Sequence, residues 1–297
     1  MSGRETTTDA QESSREQDST CAVIGLGQMG SGMARAQRLA GRTVYGVDPV
    51  VEVTIEGVVR ADLTEALTQA DVVLLSLPGS EQVRHVLTGP GGLVDLDLPA
   101  KLIVDTSTSD PASTRELAQT LSRHDHVLVD APVSGGPAGA RNQTLTVFLG
   151  CPEAELERVQ RVLAPMATTI TRVGEVGAGN IAKLANNLLC AIHLTAAREA
   201  WAMARAAGVD AERLLTAING ASGRSAVTEV NMPRWVLSGS YDSGFPVKLM
   251  ARDVALADQV ARQMGVDNPL SGTAVSAWQD LLTTAGPEAD FNRMVDL

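Results

Sequence analysis

The chain has 297 residues, of which 44% are hydrophobic and 20% charged, and its formal net charge is −11. This length predicts two domains, and the composition is that of a globular protein. The acidic balance argues against a nucleic-acid or anionic-membrane partner, and no apolar run is long enough to span a membrane. The three cysteines lack metal-ligand spacing, so we expect no metal site and a cytoplasmic protein.

The first part of the chain combines a polar tail with an alternating pattern of strands and helices. Residues 1–19 contain almost nothing that could join a core, which predicts a disordered tail. Strands are predicted at 20–25, 43–47, 71–77, 101–105, 126–130, 144–149 and 169–173. Helices are predicted between them at 29–40, 62–70, 80–87, 111–124 and 152–164. We therefore expect an α/β domain over 20–178, with a Rossmann-type, doubly wound parallel sheet.

The second part of the chain carries only helical patterns. No proline or glycine occurs between Asn180 and Ala207, where alanine and leucine dominate, so one long helix is expected. Further helices are predicted at 210–219, 225–237, 246–264 and 269–284. We expect an all-helical domain over 179–297 that is entered through the long interdomain helix.

The most informative motif directly follows the first apolar run and reads Gly25-Leu26-Gly27-Gln28-Met29-Gly30. Between a strand and a helix, and with Asp48 at the end of the next apolar run, it is the fingerprint of a dinucleotide-binding domain. Gly25 allows a tight turn, Gly27 lets a pyrophosphate approach the backbone, and Gly30 lets the helix pack closely. Asp48 can accept from both ribose hydroxyls and would repel a 2′-phosphate. NAD is therefore the favoured cofactor, and NADP stays open.

A second motif, Ser134-Gly135-Gly136, follows a predicted strand. Its hydroxyl and exposed N–H groups, on a flexible turn, suit a carboxylate ligand. A plain connection between strands explains the same residues equally well.

The third candidate is a lysine in an apolar helix. Lys183 is one of only three lysines in the chain, and Asn187 lies one helical turn later on the same face. Removal from water lowers the pKa of a lysine, which makes it a general acid or base near neutral pH. The apolar neighbours favour this role over that of a surface lysine.

The fourth candidate is the pair Arg252-Asp253. Arg252 can clamp a substrate carboxylate or phosphate, with Asp253 orienting it. A solvated charge pair on a helix is the alternative.

These segments, in this order, resemble the β-hydroxyacid dehydrogenase family, which includes 3-hydroxyisobutyrate dehydrogenase and tartronate semialdehyde reductase. The resemblance spans about residues 20–290 and rests on GLGQMGSGMA at 25–34, DAPVSGG at 130–136, GAGNIAKLANN at 177–187 and FPVKLMARD at 245–253. It implies NAD(P)-dependent hydride transfer between the cofactor and a small β-hydroxyacid or its semialdehyde. It also implies a homodimer or homotetramer.

The resemblance assigns a role to individual residues. Lys183 corresponds to the catalytic acid/base. The substrate-binding residues correspond to Ser134, Gly135, Gly136, Asn187 and Arg252. The cofactor contacts outside the glycine motif correspond to Leu77, Pro78 and Thr108, with Gln82 where the family often has Asn.

The chain departs from the family pattern in two places. The family often has Lys where Arg252 stands, and Arg exchanges a point charge for a planar fork. The family usually has Gly in the stretch that here reads Asn142-Gln143-Thr144-Leu145. Both departures lie in segments predicted to bind substrate.

Two other activities fit the same scaffold. Imine reductases resemble this pattern but usually carry Asp or Tyr where Lys183 stands. A non-catalytic nucleotide-binding or sensor protein is the second alternative, and such relatives lose the lysine that this chain retains. A 6-phosphogluconate dehydrogenase needs a longer helical domain than 297 residues provide.

Overall fold

The structure is a computed structural model that describes residues 18–52 and 54–296. The predicted tail lies outside these ranges except for its last two residues. Asp18 is buried, and its carboxylate pairs with Arg158 at 2.8 Å. The predicted tail thus includes at least one residue, Asp18, that an ion pair holds against the first unit. The described chain divides into two compact units between Lys183 and Leu184.

The strands are β1 (Thr20–Ile24), β2 (Thr43–Val47), β3 (Val58–Arg60), β4 (Val72–Leu75), β5 (Leu102–Asp105), β6 (Val127–Asp130), β7 (Val133–Ser134), β8 (Leu145–Gly150) and β9 (Ala167–Gly174). The α-helices of the first unit are α1 (Gln28–Leu39), α2 (Leu63–Gln69), α3 (Ser80–Thr88), α4 (Pro111–Ser122), α5 (Gly136–Asn142) and α6 (Leu156–Leu163). The long helix α7 (Ala178–Ala206) contains the boundary between the units.

Within the described residues, nine strands form one sheet, and the first six follow the order β3-β2-β1-β4-β5-β6. All neighbours in this series are parallel, as in a doubly wound dinucleotide-binding fold. The order reverses between β1 and β4, and ligands bind such sheets at the carboxyl ends of the strands near that point. The glycine motif directly follows β1 there.

The sheet is covered on both faces, as its sequence pattern predicts. Cys21 and Val23 of β1 join one hydrophobic cluster, while Ala22 and Ile24 join the cluster on the other face. All four residues of β4 and of β5 are buried. Two-sided burial explains why these strands read as continuous apolar runs instead of alternating ones.

The far side of the sheet differs from the prediction of a wholly parallel arrangement. β8 runs antiparallel to β6 and β7, and β9 then pairs parallel with β8. Three short elements, β3, β7 and α5, were not predicted, and the two strands among them offer too few residues for a periodic signal. α5 begins in a Gly-Gly-Pro sequence that is typical of a turn, yet Pro fits the first turn of a helix.

The second unit is helical. Its further helices are α8 (Ala211–Asn219), α9 (Val247–Gln263) and α10 (Pro269–Ala285), close to the predicted ranges. The segment Val227–Val236 forms π-helix in place of the predicted α-helix, and Pro233 lies inside it. Proline has no N–H to donate and its ring clashes with the preceding turn, so a regular α-helix through Pro233 is disfavoured. Trp201 and Trp278 are buried in the core of this unit.

Candidate active site

The glycine motif forms a turn whose three glycines do three different things. Gly25 has φ +94°, a left-handed conformation that glycine adopts without strain. A Cβ at Gly30 would overlap the carbonyl oxygen of Gly25, so the helix could not pack as it does. A Cβ at Gly27 would meet nothing within 4 Å, which leaves open space above the backbone.

The start of α1 suits an anionic ligand. Gly27 precedes the helix without a side-chain cap, and the first turn carries no acidic residue. The unpaired N–H groups and the helix dipole therefore face the open space at Gly27. A pyrophosphate placed there would supply the missing cap, so these residues fit a dinucleotide. The buried side chain of Leu26 packs in the core, while Gln28 is exposed and Met29 is half-buried.

Asp48 is held beside this turn by backbone N–H groups. One carboxylate oxygen accepts from Leu26 at 2.8 Å, and the other accepts from Val50 at 2.9 Å and Val51 at 2.8 Å. Partial burial alone would raise the pKa of the Asp48 carboxyl, but these donors and nearby Arg60 lower it below its usual value. Arg60 also donates to the carbonyl oxygens of Asp48 and Val51. Arg60 therefore lies close to Asp48 in space, although it follows 12 residues later in the sequence.

The other predicted cofactor residues lie at the carboxyl ends of β4 and β5. The N–H of Leu77 donates to the hydroxyl of Ser107 at 3.0 Å, which ties the two strand ends together. Thr108 is half-buried in the segment after β5. Pro78 and Gln82 are both exposed, Gln82 in the first turn of α3. The sheet edge thus gathers residues that are separate in the sequence.

The Ser134 segment is a strand-to-helix turn and not a flexible loop. Ser134 pairs with Thr146 across β7 and β8. Gly135 has φ +119° and Gly136 φ +60°, and α5 begins at Gly136 without a side-chain cap. The predicted carboxylate-binding residues are therefore set in a defined backbone conformation that requires glycine.

Lys183 lies in the first two turns of α7 and is only 7% exposed. Asn180, Lys183 and Asn187 are all buried and share one face of the helix. Lys183 is thus not a surface lysine that merely projects into solvent. Lys248, by contrast, is exposed and pairs with Glu288.

The second unit holds Asn187 and Arg252 through one buried carboxylate. Asp253 is 1% exposed and accepts from Nδ2 of Asn187 at 2.6 Å. Its other oxygen accepts from Nε of Arg252 at 3.0 Å and from Nη2 at 2.7 Å. The carboxylate of this charge pair is thus buried, whereas the Arg252 side chain is partly exposed, and Asp253 orients two predicted substrate residues.

Sequence reasoning missed a buried polar network at the carboxyl ends of β5 and β6. Asp105 accepts from the N–H of Ser107 at 2.9 Å and from the hydroxyl of Ser109 at 3.1 Å. Burial raises the pKa of the Asp105 and Asp130 carboxyls to about 6. The available signal was an aspartate at the end of the buried strands β5 and β6. Among the residues that the structure describes, no group of His, Cys, Asp or Glu could hold a metal ion.

Comparison with known proteins identifies the family. The sequence profile described as the NAD binding domain of 6-phosphogluconate dehydrogenase matches residues 20–174. The profile described as NAD-binding of NADP-dependent 3-hydroxyisobutyrate dehydrogenase matches residues 177–297. The chain is 34% identical to 2-(hydroxymethyl)glutarate dehydrogenase of Eubacterium barkeri, with 86% of this chain and 87% of that protein covered. It is 32% identical to 2-hydroxy-3-oxopropionate reductase of Escherichia coli strain K12, with 92% and 94% covered.

The solved structures agree with the sequence relatives. Mycobacterium tuberculosis 3-hydroxyisobutyrate dehydrogenase, determined with L-serine, is 32% identical with a TM-score of 0.83, covering 93% of this chain and 98% of that one. An imine reductase from Myxococcus stipitatus is 19% identical with a TM-score of 0.61, which shows a shared fold alone.

The glycine turn on a doubly wound sheet, followed by a helical unit, defines a dinucleotide-binding protein, and its relatives are oxidoreductases. The chain belongs to the β-hydroxyacid dehydrogenase family and is an NAD(P)-dependent hydroxyacid dehydrogenase. The resemblance inferred from the four motifs is thereby confirmed. None of the described helices has both the length and the apolar character needed to cross a bilayer.

Proposed function

We propose that this protein prefers NAD and oxidises a small β-hydroxyacid, or reduces the matching semialdehyde, with Lys183 as general acid/base. The observation that carries the proposal is the burial of Lys183 at 7% exposure on one helix face with Asn187. Burial lowers the pKa of an amine toward neutral pH. Such an amine exchanges a proton with a substrate hydroxyl more readily than a fully solvated amine does.

The residues divide the work between proton transfer and binding. NAD, held by the glycine turn, would supply the hydride-accepting chemistry for oxidation of the alcohol. Lys183 takes the hydroxyl proton in that direction and returns it in reduction. Ser134 and the amides of Gly135 and Gly136 bind the substrate carboxylate, and Asn187 positions the hydroxyl. Arg252 contributes positive charge, held in place by Asp253.

The cofactor preference rests on Asp48. Its carboxylate stays ionised and lies against the N–H of Leu26 in the glycine turn. An ionised carboxylate there accepts from ribose hydroxyls and repels a 2′-phosphate. The remaining cofactor contacts are proposed at Gly25 to Gly30, Leu77, Pro78, Gln82 and Thr108.

The substrate class follows from chemistry that the relatives share by name. 2-(Hydroxymethyl)glutarate, 3-hydroxyisobutyrate and 2-hydroxy-3-oxopropionate each carry a primary alcohol or aldehyde next to the carbon that bears the carboxylate. We propose that this chain acts on a substrate with the same arrangement. We also propose a cytoplasmic homodimer or homotetramer, with a dinucleotide-binding domain at 20–178 and a substrate and dimerisation domain at 179–297.

The test is NADH absorbance with NAD or NADP and a panel of β-hydroxyacids, for the wild type, Lys183→Ala and Lys248→Ala. Lys183→Ala is expected to lower kcat by about 10²–10⁴-fold, because the proton step loses its acid/base. NADH binding, measured by fluorescence, is expected to remain within about twofold of the wild type. Lys248→Ala removes an exposed lysine and is expected to leave kcat unchanged.

Three outcomes would contradict the proposal. Near-normal turnover by Lys183→Ala would remove the lysine from the mechanism. Turnover with a cyclic imine but no hydroxyacid would favour an imine reductase. NADH binding without turnover of any substrate in the panel would favour a sensor.

A further inference from the structure

Asp130 connects the end of β6 to the start of the long helix. Its side chain has no exposed surface, and it lies 47 and 50 residues before its partners. Oδ1 accepts from the N–H of Gly177 at 2.7 Å, and Oδ2 accepts from the N–H of Asn180 at 2.8 Å. The first N–H groups of a helix have no partner within it, and Gly177 has no side chain to serve them. A distant carboxylate therefore caps α7.

Two glycines allow this close approach. A Cβ at Gly150 would overlap Oδ1 of Asp130 and lie 2.8 Å from the nitrogen of Gly179. A Cβ at Gly179 would lie 2.8 Å from the carbonyl oxygen of Asp130 and 2.9 Å from its Oδ2. The strand end and the helix start thus share a space that admits no other side chain. The two carboxylate oxygens thus each hold one N–H group at the start of the helix.

Asn180 provides a second anchor on the same turn. Its Nδ2 donates to the hydroxyl of Thr114 at 3.0 Å, and its Oδ1 accepts from the N–H of Ser109 at 3.2 Å. Asn180 has no exposed surface. Lys183 follows three residues later on the same helix face, so whatever fixes Asn180 also fixes the direction in which Lys183 leaves the helix.

We propose that Asp130 is a positioning residue for Lys183: by holding the N–H groups of Gly177 and Asn180, it sets the position from which Lys183 transfers its proton. This inference rests on the proposed function of Lys183. Asp130 acts through the helix and has no contact with the reacting atoms. A displacement of about 1 Å at a catalytic group can lower the rate about 100-fold, so a small movement of the helix start is enough.

The direct test is Asp130→Asn, assayed beside Lys183→Ala with the same substrate. Asn keeps one oxygen but turns an NH2 group toward the other N–H, so one cap bond is lost. We expect kcat to fall about 10–100-fold while the Kd for NADH stays within about twofold. Turnover is normalised to NADH-binding sites, so unfolded protein does not count. Asp62→Ala is the matched control, because it removes the cap of α2, where the Asp62 side chain accepts from the N–H of Glu65 at 2.8 Å. It is expected to lower stability without changing kcat.

A second pair of variants covers the case in which Asp130→Asn does not fold. Thr114→Val removes the acceptor of the Asn180 amide at nearly constant volume, and Thr114→Ser keeps it. We expect kcat to fall about 3–10-fold in the first and to be restored in the second.

The outcomes separate this inference from the proposed function. Loss of activity in Lys183→Ala with a normal kcat in Asp130→Asn would overturn the positioning role alone. Equal kcat values for the two Thr114 variants would also overturn it. So would a raised Kd for NADH in Asp130→Asn at unchanged kcat. Activity in Lys183→Ala would overturn the proposed role of Lys183 and this inference with it.

Discussion

Asp48 directly follows β2 and Asp130 ends β6, and both accept hydrogen bonds from backbone N–H groups of another segment. We call the carboxyl ends of β1 and β2 the β1–β2 edge; there Asp48 is half-buried and its pKa is lowered. We call the region where the end of β6 meets β8 the β6–β8 edge; there Asp130 is fully buried and its pKa is raised to about 6. Similar donors thus accompany opposite shifts.

Burial decides the sign. At Asp48, three N–H donors and Arg60 outweigh partial desolvation, so the charge persists where a ligand can meet it. At Asp130, desolvation outweighs the donors. Asp48 is therefore suited to binding a cofactor. Asp130 accepts hydrogen bonds from backbone N–H groups in the same way, but in the interior, where they hold the start of a helix.

The largest expected effect concerns cofactor choice at the β1–β2 edge. Asp48→Asn combined with Val50→Arg removes the negative charge and adds a phosphate-binding fork. We expect the ratio of kcat/KM for NAD to that for NADP to fall on the order of 100-fold, which corresponds to about 2.7 kcal/mol. Initial rates with both cofactors provide the measurement. Glu52→Gln, which neutralises an exposed acid on the same loop, should leave the ratio unchanged. An unchanged ratio in the double variant would show that Asp48 does not select the cofactor.

The next effect concerns the stability of the folded protein and arises at Asp105, the last residue of β5 and the neighbour of Asp130 in the sheet. The pKa of Asp105 is raised to about 6, so the folded chain binds a proton that the unfolded chain has released between about pH 4 and 6. Stability from this group is highest at low pH and falls as pH rises through that window. Asn can keep both hydrogen bonds, because the hydroxyl of Ser109 can accept as well as donate.

We therefore expect Asp105→Asn to raise the free energy of unfolding by about 1–3 kcal/mol at pH 8, with a smaller gain at pH 5. Urea unfolding of the ligand-free protein at the two pH values measures this. Asp97→Asn, at an exposed position, serves as the control. A larger increase in the free energy of unfolding at pH 5 than at pH 8 would contradict the inference that the ionised Asp105 carboxylate is destabilised by burial.

The two edges also differ in how far their sequence predicts them. The strand, glycine turn, helix and acid of the β1–β2 edge lie within 20–48, so local periodicity and turn chemistry are sufficient. The long helix was predicted within two residues at its start because nothing interrupts its pattern. The family followed from four local motifs for the same reason.

The β6–β8 edge is built from contacts between distant parts of the chain, and within the second unit the pair of Asn187 and Asp253 is formed in the same way. Asp130 lies 50 residues before Asn180, and Asn187 lies 66 residues before Asp253. No periodic pattern records such pairs, because each partner alone looks like an ordinary polar residue at the end or on the face of an element. The antiparallel direction of β8 is likewise set by tertiary contacts, because a short apolar run in the sequence does not indicate whether the strand will pair parallel or antiparallel.

A smaller effect separates two glycines of the same turn. Gly27 has φ −61°, and a Cβ there would meet nothing within 4 Å, so Gly27→Ala should fold as well as the wild type. Its methyl group would occupy the space reserved for the pyrophosphate, and we expect the Kd for NADH to rise about tenfold, or about 1.4 kcal/mol. Gly30→Ala should instead lower the unfolding midpoint, since its Cβ overlaps the carbonyl oxygen of Gly25. Unchanged NADH binding by Gly27→Ala would show that the cofactor does not approach this backbone.

The smallest effect lies at the β6–β8 edge, where the chain departs from its family. Gln143 directly follows α5 and has φ 61° and ψ 33°, the left-handed conformation that a glycine adopts without strain. The departure thus keeps the glycine-like backbone and places a side chain on it. Because this conformation costs a non-glycine residue about 1–2 kcal/mol, partly offset by the greater freedom of unfolded glycine, Gln143→Gly should stabilise the protein by about 0.5–1 kcal/mol. Gln143→Ala keeps the Cβ and should give no gain. Equal unfolding midpoints for the glycine and alanine variants would mean that this edge carries no backbone strain, and its difference from the β1–β2 edge would then rest on buried charge alone.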